Sequence, residues 1–196
     1  MSDRARILVV AATARELATP NRWLTLECGV GPVEAAAATA AAIVELRPHA
    51  ILHVGIAGAR RSRALAPATL IIGSDARYCD LNVPLEWAPN TVLAAPRLLA
   101  AVQQALPTAI TLSIGTSARV GGSSDSDVEA MEGFGVLRAA QLAAVPAIEV
   151  RAISNEIGEQ DRTRWHFDAA FAAITVVTPQ LVRVMQAAMS AGNADA

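Results

Sequence analysis

The chain has 196 residues, a formal net charge of −2 and a composition that is 53% hydrophobic and 17% charged, which excludes a disordered or fibrous protein. All 16 basic residues are arginine, so mechanisms that need a lysine, such as Schiff-base formation or a P-loop, are excluded. Cys28, Cys79 and the three dispersed histidines lack metal-ligand spacing, and no basic tract exceeds two residues. We therefore predict no metal, no cofactor and no nucleic-acid partner.

Short apolar runs alternate with helical stretches along the chain. In chain order we predict strand Ile7–Ala12, strand Leu24–Cys28, helix Ala35–Leu46, strand Ala50–Val54, strand Thr69–Gly73, helix 92–106, strand Ala109–Ile114, helix Asp127–Ala144, strand Ala147–Ile153 and helix Asp168–Met189. This alternation predicts an α/β domain with a largely parallel sheet, and the absence of a linker predicts one domain over residues 1–196. Because we find neither a targeting signal nor an uninterrupted apolar span, we predict no membrane partner and a cytoplasmic location.

Ligands of parallel α/β sheets bind beyond the carboxyl ends of the strands, so the segments that follow the strands are the candidate site. These segments are Thr13–Glu16, Gly55–Gly58, Ser74–Asp80, Gly115–Ser124 and Ser154–Asp161. In the first of them, Glu16 is either a general base or a solvated glutamate in a helical first turn. The small residues of the second either let a ligand touch the backbone or form a tight turn.

Two further segments combine polar and apolar residues. Glu132 is flanked by Met131 and Phe134 on a predicted helix, where it is either a buried carboxylate that binds sugar hydroxyls or the exposed edge of the helix. The run from Ser154 to Arg162 changes abruptly from an apolar strand to a polar loop. That loop either contacts a substrate or caps the helix that follows.

Six segments in this order resemble the nucleoside phosphorylase and nucleosidase superfamily: Ile7–Glu16, Gly29–Ala36, Val54–Gly58, Ser74–Asp80, Met131–Glu132 and Val150–Asn155. The resemblance implies a three-layer α/β/α fold with a mixed, largely parallel central sheet. It also implies a purine nucleoside as the small-molecule partner and a homo-oligomer of at least two chains, with apolar surface around Tyr78–Trp87 at the contact. Since only Leu17–Leu24 separates the first two strands, the N-terminal hairpin of the family is predicted to be shortened.

The resemblance also implies roles for individual residues. Glu16 corresponds to the carboxylate that orients or deprotonates the attacking water, and Glu132 to the carboxylate that binds the ribose 2′- and 3′-hydroxyls. Asn155 takes the position where adenine-specific nucleosidases carry aspartate. The other substrate-binding positions implied by the resemblance are Ala57, Gly58, Val120, Met131 and Ser154.

Asn155 indicates which purine is bound. An asparagine amide can donate to a carbonyl O6 and accept from N7–H, which suits hypoxanthine rather than adenine. Within the superfamily, the stretch Arg151–Asn155, followed by Gly158, Asp161-Arg162 and Trp165, is most similar to futalosine hydrolases, whose substrate carries hypoxanthine and a benzoate group. The resemblance therefore implies hydrolysis of the N-glycosidic bond of futalosine.

Other functions stay open at this stage. Phosphorolysis would use Arg15 or Arg22 to bind phosphate, although Glu16 would repel that anion. An adenine-releasing nucleosidase is disfavoured by Asn155, and a non-catalytic nucleoside-binding protein is a third possibility. The arginines considered for the substrate carboxylate are Arg60, Arg61, Arg77 and Arg164.

Overall fold

A mixed sheet of eight strands forms the centre of the part of the chain that the computed structural model describes, residues 5–121 and 125–191. The strands are β1 (Ile7–Ala11), β2 (Leu24–Glu27), β3 (Ala50–Ala59), β4 (Leu70–Tyr78), β5 (Thr91–Leu93), β6 (Ile110–Thr116), β7 (Val128–Ala130) and β8 (Ala147–Glu156). The helices are α1 (Pro32–Leu46), α2 (Pro96–Ala105), α3 (Gly133–Leu142) and α4 (Phe167–Ala191). Short 3-10 segments lie at Ala14–Glu16, Arg61–Arg63 and Arg162–Arg164.

The sheet is largely parallel, as predicted, and part of it closes on itself. β1 pairs in parallel with β2 and β3, and β3 continues in parallel with β8. β8 pairs antiparallel with β4, β4 and β6 are parallel, β6 and β7 are parallel, and β7 returns antiparallel to β3. Five of these pairings, β3 with β8, β8 with β4, β4 with β6, β6 with β7 and β7 with β3, form a ring of strands.

Helices cover both faces of the sheet, which confirms the predicted three-layer fold. On one face, α2 and α4 pack against β1, β3 and β8 through a core that includes Leu98, Ile174 and Leu181. On the other face, α1 and α3 pack through Ile43, Leu137 and small side chains such as alanine. Between β1 and β2 the structure has a 3-10 turn and no extra strand, in agreement with the shortened interval.

The longest helix, α4, passes the length and composition test for a membrane span, although the sequence analysis found no such segment. Its buried residues, among them Ala170, Ile174 and Met185, join the same core as β1, β3 and β8. This packing buries one side of α4, whereas Val176 on the same helix is 76% exposed.

Two predicted helices are wrong in part, because the first residues of each predicted range form a strand. The predicted helix 92–106 contains β5, which pairs antiparallel with β4, and only then α2. Pro96 occupies the first turn of α2, and a residue that precedes proline is disfavoured in the helical region, so the helix cannot extend back through Ala95. The predicted helix Asp127–Ala144 likewise contains β7 before α3.

Several predicted loops are the ends of long strands. Gly55–Gly58 lies inside β3, so the alternative of a tight turn there is wrong, and Ser154 and Asn155 lie inside β8. Sheet pairing continues past the apolar runs because neighbouring strands supply backbone hydrogen bonds there. Of the predicted segment Gly115–Ser124, residues 122–124 lie outside the described residues.

Candidate active site

A cleft of about 350 Å³ opens where β1, β3, β7 and β8 end, a volume within the usual range of small-molecule sites, roughly 300–1,000 Å³. β1, β3 and β8 are mutually parallel, so their carboxyl ends lie at the same edge of the sheet. Five separate segments bring all the site residues predicted from the sequence to the wall of this cleft: Glu16, Ala57, Gly58, Val120, Met131, Glu132, Ser154 and Asn155.

Glu16 ends the short 3-10 segment after β1 and is buried, with 4% of its surface exposed, so it is not a solvated glutamate. Its Oε2 accepts hydrogen bonds from the Thr13 N–H and the Thr13 hydroxyl, both at 2.9 Å. Its Oε1 accepts from the Ile56 N–H at 3.2 Å. These donors fix the carboxylate and leave one acceptor position, on Oε1. Burial raises the pKa of Glu16, although the nearby charge of Arg151 opposes that rise.

Glu132 lies at the start of α3 rather than within a helix, and it is 4% exposed, so the alternative of an exposed helix edge is wrong. Its Oε1 accepts from the Gly31 N–H at 3.2 Å. Its Oε2 accepts from Arg151 Nη2 at 3.3 Å. Each carboxylate oxygen therefore keeps one acceptor position for a further donor.

Arg151 bonds Glu132, and its charge also acts on Glu16, but it was given no role in the sequence analysis. It is buried in β8, where Nε donates to Glu149 Oε1 at 2.7 Å, and Nη2 donates to Glu132 and to Nε2 of His53. Burial lowers the pKa of Arg151, but the surrounding carboxylates outweigh burial and raise it, so the guanidinium stays charged. An arginine inside an apolar strand was the signal in the sequence, because a buried charge requires partners.

His53 is neutral and its tautomer follows from its neighbours. The Val10 carbonyl, 3.0 Å from Nδ1, can only accept, so Nδ1 carries the proton and Nε2 accepts from Arg151. Burial and the charge of Arg151 lower the pKa of His53 well below its ordinary value. His53 therefore holds Arg151 without adding a second positive charge.

Two glycines make room for this buried cluster. A Cβ on Gly55 would overlap Arg151 Nη1, and a Cβ on Gly133 would overlap the carboxylate of Glu149. Glu149 is completely buried, and its Oε2 has no hydrogen-bond partner within residues 5–121 and 125–191. Burial raises the pKa of Glu149, and Arg151 opposes that effect.

Asn155 lies near the end of β8 with its amide orientation set by two neighbours. Nδ2 donates to the Glu156 carbonyl at 2.9 Å, and Oδ1 accepts from the Ser154 hydroxyl at 2.7 Å. One N–H and one acceptor position of the amide are left for a ligand. The Gly58 backbone approaches closely, since a Cβ there would lie 3.2 Å from Asn155 Nδ2.

The remaining predicted residues form parts of the cleft wall. Ala57 is buried in β3, and its carbonyl oxygen lies 3.2 Å from the Ser154 hydroxyl. Met131 is half-buried between β7 and α3. Val120, in the loop after β6, is 53% exposed at the mouth of the cleft.

An aromatic wall of the cleft was not predicted. Trp165 and Phe167 have ring centroids 5.3 Å apart, and Phe167 and Phe171 are 5.9 Å apart, so the three rings follow one another along the start of α4. Aromatic residues spaced by two and four positions at the start of a predicted helix were the available signal in the sequence.

The four arginines considered for a substrate carboxylate do not line the cleft. Each instead bonds a neighbouring group: Arg60 Nε to the Ser126 carbonyl at 3.1 Å, Arg61 to Glu156 at 2.8 Å, Arg77 to Asp125 at 3.5 Å and Arg164 to Glu159 at 3.3 Å. The arginines that do line the cleft are Arg119 and Arg162.

Comparisons with known proteins identify the family to which this chain is similar. The family described as "Phosphorylase superfamily" matches residues 21–188. The futalosine hydrolase of Streptomyces coelicolor is 35% identical over 191 residues, an alignment that covers 85% of this chain and 81% of that protein.

Solved structures show the same fold. A 5′-methylthioadenosine/S-adenosylhomocysteine nucleosidase from Colwellia psychrerythraea 34H, in complex with adenine, has a TM-score of 0.79 at 19% identity and covers 95% of this chain and 96% of its own. The futalosine hydrolase of Helicobacter pylori strain 26695 has a TM-score of 0.76 at 15% identity, with 92% and 97% covered. These likenesses confirm the predicted fold class.

Proposed function

Because the chain belongs to the phosphorylase superfamily, and relatives of it are N-glycosidic hydrolases, we propose that it hydrolyses the N-glycosidic bond of futalosine and releases hypoxanthine. The observation that carries the proposal is the set of hydrogen-bonding positions that the cleft leaves free. Glu16 has one acceptor, Glu132 has two, and Asn155 has one acceptor and one donor. The free position of Glu16 suits one water, and the two positions of Glu132 suit two ribose hydroxyls. The donor and the acceptor of Asn155 suit one edge of a 6-oxopurine.

Glu132 is proposed to hold the ribose. Its two free acceptor positions lie on different oxygens, so the 2′- and 3′-hydroxyls can each donate to one of them. Cleavage of the bond develops positive charge on the ribose, and a carboxylate beside that charge stabilises the transition state more than the bound substrate.

Glu16 is proposed to align the attacking water. Glu16 lines the cleft with one acceptor position left on Oε1, while the other three positions are filled by fixed donors. A carboxylate with a raised pKa is a better proton acceptor than an ordinary one, provided that it is ionised. Glu16 thereby serves both to position the water and to take its proton.

Asn155 is proposed to stabilise the departing base. Its free N–H would donate to O6 of hypoxanthine, and the free position on Oδ1 would accept from N7–H as that proton arrives. The amide cannot supply the proton, which must come from water. The hydroxyl of Ser154 keeps Oδ1 in place for this contact.

The positions of Arg15 and Arg22 disfavour the phosphate site considered for phosphorolysis. Arg15, considered earlier for phosphate, pairs with Asp168 at 3.0 Å, and neither it nor Arg22 lines the cleft. The carboxylates of Glu16 and Glu132 lie inside and would repel a dianion.

The protein is expected to release hypoxanthine from futalosine without phosphate. The measurement is chromatography of the free base and assay of reducing sugar, with and without added phosphate, for futalosine, inosine and methylthioadenosine. Phosphate-independent release with futalosine as the preferred substrate supports the proposal. A strict need for phosphate, or ribose 1-phosphate as product, contradicts hydrolysis.

Asn155→Asp is expected to change the preferred base. Adenine would leave a buried polar group of Asn155 badly paired, at a cost of about 1–3 kcal/mol, or roughly 5- to 150-fold in kcat/KM. The introduced carboxyl group replaces an N–H that donates to the Glu156 carbonyl. It must therefore be protonated to donate to that carbonyl or to N7 of the base. The variant should lose activity on futalosine, gain relative activity on its 6-amino analogue and work better at acid pH. Measured kcat/KM for both substrates across pH tests this, and an unchanged 6-oxo to 6-amino ratio shows that Asn155 does not read the base.

Assembly and location remain proposals. Exposed apolar side chains between β4 and β5 support a homo-oligomer contact in the predicted region, since Leu85 is 66% and Trp87 is 76% exposed. We propose that the chain forms at least a dimer and is located in the cytoplasm.

A further inference from the structure

Two arginines line the cleft, and neither guanidinium pairs with a carboxylate among residues 5–121 and 125–191. Arg162 belongs to the 3-10 segment before α4, and Arg119 to the loop after β6. Two residues after Arg162, Arg164 is paired with Glu159 and lies outside the cleft. Unpaired cations in a cleft that also holds the carboxylates of Glu16 and Glu132 point to an anionic part of the ligand.

Arg162 lies at one end of the aromatic wall. Its guanidinium carbon is 5.9 Å from the centroid of the Trp165 ring, and Trp165 is fixed because its Nε1–H donates to the Glu159 carbonyl at 3.0 Å. At the other end of the wall, Arg15 lies 4.5 Å from the Phe171 ring centroid, but its charge is already paired with Asp168. The Trp165 end therefore combines a flat apolar surface with a free positive charge.

We propose that Arg162 binds the carboxylate of an aryl-carboxylate group on the 5′ side of the nucleoside, while the wall of Trp165, Phe167 and Phe171 contacts the aryl ring. This inference rests on the proposed function and names the feature of the substrate that the cleft selects. A guanidinium recognises a carboxylate through two parallel N–H donors, and aromatic rings stack on one another and on Arg162.

The contact is remote from the bond that breaks, which determines its kinetic signature. The carboxylate keeps its charge throughout the reaction, so the ion pair stabilises substrate and transition state equally. Loss of the pair should therefore raise KM and leave kcat nearly unchanged. Charge-assisted hydrogen bonds of this kind correspond to an effect of roughly 10-fold or more.

The test compares Arg162→Gln with Arg164→Gln, which removes the same charge from the same segment but outside the cleft. Each protein is assayed with futalosine, its neutral carboxamide and inosine. We expect Arg162→Gln to raise KM for futalosine by roughly 10-fold and to leave its kcat unchanged. The KM values for the two neutral substrates should also stay unchanged. Arg164→Gln should behave as the parent does.

Other results overturn the proposal. If Arg162→Gln raises KM equally for all three substrates, Arg162 maintains the shape of the cleft and does not bind the substrate carboxylate. If KM for futalosine is unchanged in Arg162→Gln, Arg162 does not bind the carboxylate. The same holds if only Arg119→Gln shows the selective rise in KM. Thermal unfolding of each variant shows whether the fold is preserved.

Failure of the proposed function gives a different result. If the parent does not hydrolyse futalosine, calorimetric titration of the parent and of Arg162→Gln with futalosine and its carboxamide still measures the contact. Tighter binding of the acid than of the amide, lost in Arg162→Gln, supports the carboxylate site. Equal binding of acid and amide by the parent overturns it.

Discussion

Replacing Glu132 with glutamine is expected to lower kcat/KM for the nucleoside by roughly 10²-fold or more, as for a contact that strengthens in the transition state. The amide removes the negative charge that faces the ribose. It also cannot accept from both Gly31 and Arg151, because only one of its two ends is an acceptor. The measurement is steady-state hydrolysis together with thermal unfolding.

The matched control is Glu45→Gln, because Glu45 is exposed on α1 and does not line the cleft. That variant should retain parental kinetics and stability. If Glu132→Gln also turns over at a near-parental rate, Glu132 does not bind the ribose. A folded Glu132→Gln protein with a strongly reduced kcat supports the proposed role.

Arg151→Met is expected to reduce both stability and activity. Removing one partner of a buried charge cluster leaves uncompensated charge, which costs about 3–5 kcal/mol of the free energy of unfolding. Glu149, Glu132 and Glu16 all lose a neighbouring cation. Because Arg151 also fixes Glu132 Oε2, hydrolysis should fall by roughly 10²-fold or more. Chemical denaturation and steady-state kinetics measure the two effects.

A double variant separates the two effects of Arg151. Adding Glu149→Gln to Arg151→Met removes one of the unpaired carboxylates, so the free energy of unfolding should partly recover while activity stays low. The exposed pair of Arg61 and Glu156 is the control, since Arg61→Met should leave the free energy of unfolding nearly unchanged. Full stability in Arg151→Met would contradict the role of the buried cluster.

The stability loss should also depend on pH. Burial already raises the pKa of Glu149, and Arg151 opposes that rise, so the pKa rises further in Arg151→Met. A folded state with a raised carboxyl pKa binds more protons than the unfolded chain, and stability then falls as pH rises between the two values. The difference between variant and parent should therefore be larger at about pH 7 than at about pH 5.

Much of the fold was predictable because local sequence patterns indicate most of its strands and helices. Short, mostly apolar runs identified β1, β2 and the first parts of β3 and β8, and the helical stretches identified α1 and α4. The two missed strands, β5 and β7, have three residues each. So short a strand has no pattern of its own, and its existence depends on pairing with β4 in one case and with β3 and β6 in the other.

The residues of the candidate site were predictable where they follow a predicted strand directly or correspond to a residue of the family that the sequence resembles. Glu16 and Asn155 were selected for these reasons, and both line the cleft. The alternatives left open for Glu16 and Glu132 depended on burial, which local sequence does not determine. Arg162 was overlooked because nothing in its neighbourhood shows that Arg164 is paired and Arg162 is not.

The sequence by itself determined the alternation of strands and helices, the polar segments at the strand ends and the lack of lysine chemistry, because each depends on residue type and spacing. Only the tertiary structure decided which polar groups face one another. Gly31 and Glu132 are 101 residues apart, and Arg151 and His53 are 98 apart, yet both pairs are bonded. A buried carboxylate needs donors, and those donors come from whichever strands and helix starts the closed ring of strands brings to its side.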